Sequence, residues 1–122
     1  MLKNNFYTLT SEIPKNESAF RVTIRLNASH DIFKGHFPGL PVTPGVCMLG
    51  IVKELLEASL GKTLTLHEAS NIKFLSLIDP NQFPEIDVEV KHQRNDDGSY
   101  TADGTIFTGG NACFKISKAH YR

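Results

Sequence analysis

Thr43-Pro44-Gly45-Val46-Cys47-Met48-Leu49-Gly50-Ile51-Val52-Lys53-Glu54-Leu55-Leu56-Glu57-Ala58-Ser59-Leu60-Gly61 is the stretch that decides how this chain folds. Thr43 stands where an N-cap belongs, and Pro44 suits a first helical position because its missing amide hydrogen would have no partner there anyway. Met48, Ile51, Val52, Leu55 and Leu56 then form a broad apolar stripe, Gly50, Lys53, Glu54 and Glu57 share the opposite side, and Gly61 follows as a cap. A helix that is apolar over so much of its girth has to be mostly buried. A sheet that curls around it would do this.

The flanking sequence supplies the strands. Upstream, Ala19 to Asn27 reads AFRVTIRLN, with Phe20, Val22, Ile24 and Leu26 on one face and Arg21, Thr23 and Arg25 on the other, the period of a half-buried strand. Phe6 to Ile13 reads as a weaker partner strand, with Pro14-Lys15-Asn16 as the turn. Between that pair and the helix, Ala28 to Pro44 is rich in Gly, Pro and His, has no period and reads as loop. Downstream come Leu64 to His67, Asn71 to Ile78, Phe83 to His92, Tyr100 to Thr108 and Ala112 to Lys118. Asn95-Asp96-Asp97-Gly98 and Gly109-Gly110-Asn111 are turn signals that make the last three an antiparallel meander. Segregated runs of elements without βαβ alternation predict an α+β fold in a single domain over residues 1–122, one long central helix on a curved antiparallel sheet.

Composition narrows the function classes. The chain has 122 residues, 40% of them hydrophobic, and its 13 basic side chains cancel its 13 acidic ones. That length and apolar share suit one domain with a proper core. The charge balance points neither to a nucleic-acid groove nor to an anionic membrane surface. Cys47 and Cys113 lie far apart with no metal-ligand spacing, and the opening MLKNNFYTLTSEIP lacks the apolar core of a signal peptide, so a reduced, cytoplasmic protein without a metal is expected. The apolar stretch from Val46 to Leu60 is too short and too charged to span a bilayer.

The sharpest feature is Gly35-His36-Phe37-Pro38-Gly39-Leu40-Pro41-Val42-Thr43-Pro44-Gly45-Val46. It resembles the H-F-P-G-x-P-V-x-P-G-V loop of the bacterial 3-hydroxyacyl-[acyl-carrier-protein] dehydratases of fatty-acid synthesis, and the helix follows at that family's place. Asn71-Ile72-Lys73-Phe74 and Asp79-Pro80 extend the resemblance, which covers roughly residues 27–79. It implies the hot-dog fold and a site without cofactor or metal.

The residues make chemical sense for thioester work. A neutral histidine can take a proton from carbon 2 of an acyl thioester when the adjacent carbonyl is polarised. Gly45, at a helix start, offers unpaired amide hydrogens, a favourable dipole and close backbone approach. The resemblance implies His36 as the base, the Gly45 amide as the carbonyl donor and the Val42 amide as the group orienting the histidine. It also implies an acyl chain running along the apolar helix near Phe33, Phe37, Cys47, Leu49 and Gly50, positions that equally serve as plain core. His30, His67, His92 and His120 show no ligand spacing and read as surface or satisfied histidines.

The chain departs from the family at Gly50, where active members carry the Asp or Glu that protonates the leaving hydroxyl. Glu54 is the nearest carboxylate, about 6 Å further along the same helix face. It reads either as a solvated or ion-paired neighbour of Lys53 or as a substitute acid. Loss of a positioned acid costs about 10²- to 10⁴-fold, against about 10²- to 10³-fold for a retained carbonyl donor. Gly50 also costs the helix up to about 1 kcal/mol relative to alanine, so something is expected to pack closely there.

Family sites lie between protomers, so a homodimer is expected, and a heterodimer with a homologous hot-dog protein could restore the acid. The leading expectation is dehydration of 3-hydroxyacyl thioesters, on acyl carrier protein or coenzyme A, to trans-2-enoyl thioesters. A catalytically incomplete acyl-binding subunit and a thioesterase are the competing readings. Lys34, beside the motif, could meet an acidic carrier.

Overall fold

The computed structural model describes residues 2–35 and 43–122, with residues 34 and 35 described by their backbone only. Among these, the elements run β1 (Tyr7–Leu9), β2 (Ala19–Leu26), α1 (Ile32–Gly35), α2 (Gly45–Leu60), β3 (Leu66–Glu68), β4 (Asn71–Phe74), β5 (Glu85–Arg94), β6 (Tyr100–Thr108) and β7 (Asn111–Tyr121). The strands form one antiparallel sheet in the order β1-β2-β5-β6-β7-β3, with β4 also pairing β7.

Alternation sets the register. Phe20, Val22 and Ile24 of β2 lie opposite Val90, Val88 and Ile86 of β5, so both strands turn the same apolar face inward. Helix α2 lays Cys47, Met48, Ile51, Val52, Leu55 and Leu56 into that face, and the core is completed by Ile106, Phe114, Ile116 and Tyr121. Each large apolar side chain buried there contributes about 1.5–3 kcal/mol. The sheet bends through irregularities in the β6–β7 ladder, where register shifts occur between Ala102 and Gly104 and between Ile106 and Phe107. Such bulges increase local twist and let a sheet wrap a helix.

Several bounds differ from the expected ones for identifiable reasons. Helix α2 begins at Gly45, and its N-cap is Pro44 (φ −63°, ψ 145°), not Thr43. Thr43 spends its amide on the Ile78 carbonyl at 2.9 Å, and its buried hydroxyl meets no partner among the described residues. At the other end Gly61 adopts the left-handed conformation (φ 69°) and donates to the Glu57 carbonyl, as a C-cap should. The span expected to be all loop contains the short helix α1, started where the Ile32 amide donates to His30 Nδ1 at 3.1 Å. Strand β4 stops at Phe74 because the amides of Leu75 and Ser76 both turn to the Cys113 carbonyl. Strand β5 starts only after Pro84, which has no amide hydrogen to give a ladder.

One surface stands apart from the core. Every β4 residue is exposed, and Phe74 (57% exposed), Leu77 (70%), Ile72 and Leu75 are joined in exposure by Val46 (72%) at the start of α2.

Candidate active site

The site has to be built around the start of α2, because the histidine motif runs straight into it. Gly45 is the first residue of the helix, so its amide belongs to the group of donors that a helix leaves without intrahelical partners. A Cβ added at Gly45 would lie 2.6 Å from Phe74 Cε1 and 2.8 Å from Cζ. Glycine at this position therefore admits the Phe74 ring, which also tilts against Phe114 with centroids 5.3 Å apart. Sequence reasoning missed Phe74 as a neighbour of Gly45; its place on the strand after the helix was visible, its reach to Gly45 was not.

Beyond Gly45, a groove of about 840 Å³ follows α2, and Leu2, Tyr7, Cys47, Gly50, Glu54 and Ala58 are among its walls. The expected close packing at Gly50 comes from the N-terminal segment. A Cβ at Gly50 would stand 2.8 Å from Leu2 Cδ1. Nothing in the local pattern of the first residues signals this contact.

Glu54 is not solvated. It is 8% exposed, and its carboxylate accepts three hydrogen bonds: from the Leu2 amide at 2.9 Å, the Lys3 amide at 3.0 Å and the Tyr7 hydroxyl at 3.2 Å. Burial, and then the adjacent Glu54 charge, push the Tyr7 phenol well above its ordinary value. A carboxylate with both oxygens engaged in this way ties the N-terminal segment to the middle of the helix. Three of its roughly four acceptor sites are taken in this way, and the residue still lines the groove.

The other expected site residues divide. Cys47 and Gly50 both line the groove, and burial raises the Cys47 thiol. Phe33 stacks on Phe6 with centroids 5.4 Å apart, and Leu49 packs against the core. His36, Phe37 and Val42 lie outside the described residues, as does the Lys34 side chain. His30, His92 and His120 are engaged in hydrogen bonds away from the groove, with the Ile32 amide, the Glu17 carbonyl and the Ser99 hydroxyl. Among the described residues no cluster of His, Cys, Asp and Glu could hold a metal ion, and no helix is long and apolar enough to cross a membrane.

Known proteins share this architecture. The chain superposes on the dehydratase heterocomplex ApeI:P from Xenorhabdus doucetiae with a TM-score of 0.65 at 17% identity, covering 86% of this chain and 88% of that one. Protein af1124 from Archaeoglobus fulgidus gives a TM-score of 0.65 at 15% identity over 92% of this chain and 84% of its own. These matches establish the hot-dog fold. In sequence, the chain is 27% identical over 108 residues to the 3-hydroxyacyl-[acyl-carrier-protein] dehydratase FabZ of Lactiplantibacillus plantarum, covering 83% of this chain and 73% of the relative. The FabZ of Ligilactobacillus salivarius is 28% identical over 108 residues, with 83% and 75% covered. Residues 12–111 match the family model of the ApeI-like proteins, described as ApeI dehydratase. With most of its length matched in this way, the chain belongs to the ApeI-like dehydratase family.

Proposed function

We propose that this chain binds 3-hydroxyacyl thioesters, carried by acyl carrier protein or coenzyme A, and supplies the base and the carbonyl-binding group for their dehydration to trans-2-enoyl thioesters. In this reading His36 removes the proton from carbon 2 and the Gly45 amide stabilises negative charge developing on the thioester oxygen. Val42 orients the imidazole through its amide. The electron pair released at carbon 2 forms the new double bond, and the carbon 3 hydroxyl departs as water once it receives a proton. The observation that carries the reading is the junction of motif and helix: the His36 loop leads directly into α2, with Gly45 as its first residue.

The proton for the leaving hydroxyl is the missing part. Position 50 has no side chain to give one, and the space above it belongs to Leu2. A second copy of this chain repeats Gly50 and repairs nothing, so the acid comes from a homologous hot-dog protein. Support for such a partner is strand β4, which among the described residues pairs only with β7 and lies beside exposed Ile72, Phe74, Leu75 and Leu77, together with the relative ApeI:P, whose structure is a heterocomplex. An apolar strand edge of this kind is what a pairing partner covers.

The test is turnover. The chain alone, and mixed with a hot-dog homologue that keeps the helix carboxylate but has its own motif histidine replaced by alanine, is supplied with 3-hydroxyacyl thioesters on carrier protein, and loss of water is followed by mass. Dehydration by the mixture should exceed that of the chain alone by about 10²- to 10⁴-fold, the worth of a positioned acid, and fall to background with His36→Ala. Equal rates for His36→Ala and the unaltered chain would sink the proposal. Release of free thiol in place of water would favour a thioesterase.

A further inference from the structure

Leu2 lines the groove, and several hydrogen bonds hold the backbone that carries it. Leu2 Cδ1 lies where a side chain on Gly50 would otherwise begin, 2.8 Å from the place of a Cβ. The backbone on either side of the Leu2 side chain is anchored: the Leu2 and Lys3 amides donate to the two oxygens of Glu54. Glu54 is itself held by the Tyr7 hydroxyl. Backbone bonds close the segment on itself, from the Phe6 amide to the Leu2 carbonyl at 2.7 Å and from the Asn4 amide to the Tyr7 carbonyl at 2.6 Å. Hydrogen bonds to a charged acceptor are among the stronger ones, so the isobutyl group is presented by a braced frame.

The groove into which it projects begins at Val46 and Cys47, beside Gly45, and continues past Gly50 to Ala58, Gly61 and Lys62. Helix rise puts position 50 about 6 Å beyond Val46 and about 16 Å short of Gly61. Leu2 thus stands close to the thioester end, and Ile13 and Ala58 form apolar wall beyond it. Resting on the acyl-thioester reading above, we propose that Leu2 is the residue that sets acyl-chain length: its side chain stops a chain that starts at Gly45, and the glycine at position 50 is what lets it lie there. The site then takes short acyl thioesters, and the cavity beyond Leu2 opens to longer chains only when Leu2 is cut back.

The experiment measures binding of S-butyl, S-octyl and S-dodecyl pantetheine, thioethers that cannot react, to the whole chain and to Leu2→Ala and Leu2→Phe. Leu2→Ala should improve octyl over butyl binding by about tenfold or more, since even one methylene in an apolar pocket is worth that much. Leu2→Phe should shift the ratio the other way. Two variants with opposite expected signs keep a general loosening of the segment from imitating the result. An octyl-to-butyl ratio that stays the same in all three proteins overturns the proposal, and so does an absence of binding by every thioether. Because nothing turns over in this experiment, a shifted ratio stands even if the chain proves not to dehydrate. A dehydratase with an unshifted ratio would lose only the role of Leu2.

Discussion

At Gly45 two demands meet on one α-carbon: an open approach to the helix start and a seat for the Phe74 ring, 2.6 Å from where a Cβ would be. The conflict is testable by a double-mutant cycle. Gly45→Ala should destabilise the protein by about 1–3 kcal/mol, the usual cost of overpacking. In a Phe74→Ala background the same change should be neutral or stabilising by up to about 1 kcal/mol, because alanine is the better helix former. Equal costs in both backgrounds, measured by denaturant unfolding, would show that the ring does not constrain position 45. Residue-scale chemistry was partly legible beforehand. Gly50 announced a close neighbour through its cost to the helix, yet the neighbour is Leu2, and the Glu54 bonds that fix it span more than fifty positions of sequence. Periodicity reports which face a residue takes. It carries no record of a contact so distant, which is why Glu54 read as a solvated or ion-paired neighbour of Lys53 or as a substitute acid.

Among the elements, those with a sustained period were the legible ones. Helix α2 and strands β2, β5 and β6 fall close to their expected places because burial on one face repeats along each of them. Helix α1 could not be found that way, being four residues long and begun by a side-chain bond from its own loop histidine. The β5–β6 turn was marked by Asn95-Asp96-Asp97-Gly98, and its inner wiring yields a pH prediction. Asp97 accepts from the Ser99 hydroxyl at 2.5 Å and from the Ser99 amide at 2.9 Å, bonds that hold its carboxyl below the ordinary value of 3.8. A carboxyl lowered in the folded state binds fewer protons there than in the unfolded chain, so its contribution is complete above the unfolded value and fades as pH falls through the folded one. The stability difference between the unaltered chain and Asp97→Asn, read by urea unfolding, should be constant above about pH 4 and shrink below it. A difference that grew on acidification would contradict the assignment.

For the whole molecule, the wrap of one sheet around the long helix leaves a groove along α2 and an exposed apolar surface at β4. The motif and the glycine at position 50 were readable in the chain, and the helix start to within one residue, since each is local. What lies over the helix and how far the groove extends depend on packing between distant segments, and only the fold supplies them. In the function proposed above, this chain carries the proton-abstracting and carbonyl-binding half of a dehydratase and lacks the acid half. These halves can be separated, because removing a proton from carbon 2 requires no leaving group. The direct measurement is deuterium uptake at carbon 2 of a saturated acyl thioester in heavy water, followed by mass with the chain alone. Uptake is expected without any partner and should disappear in His36→Ala. Uptake no faster than in His36→Ala would mean that the chain does not hold the base, contrary to the proposed function.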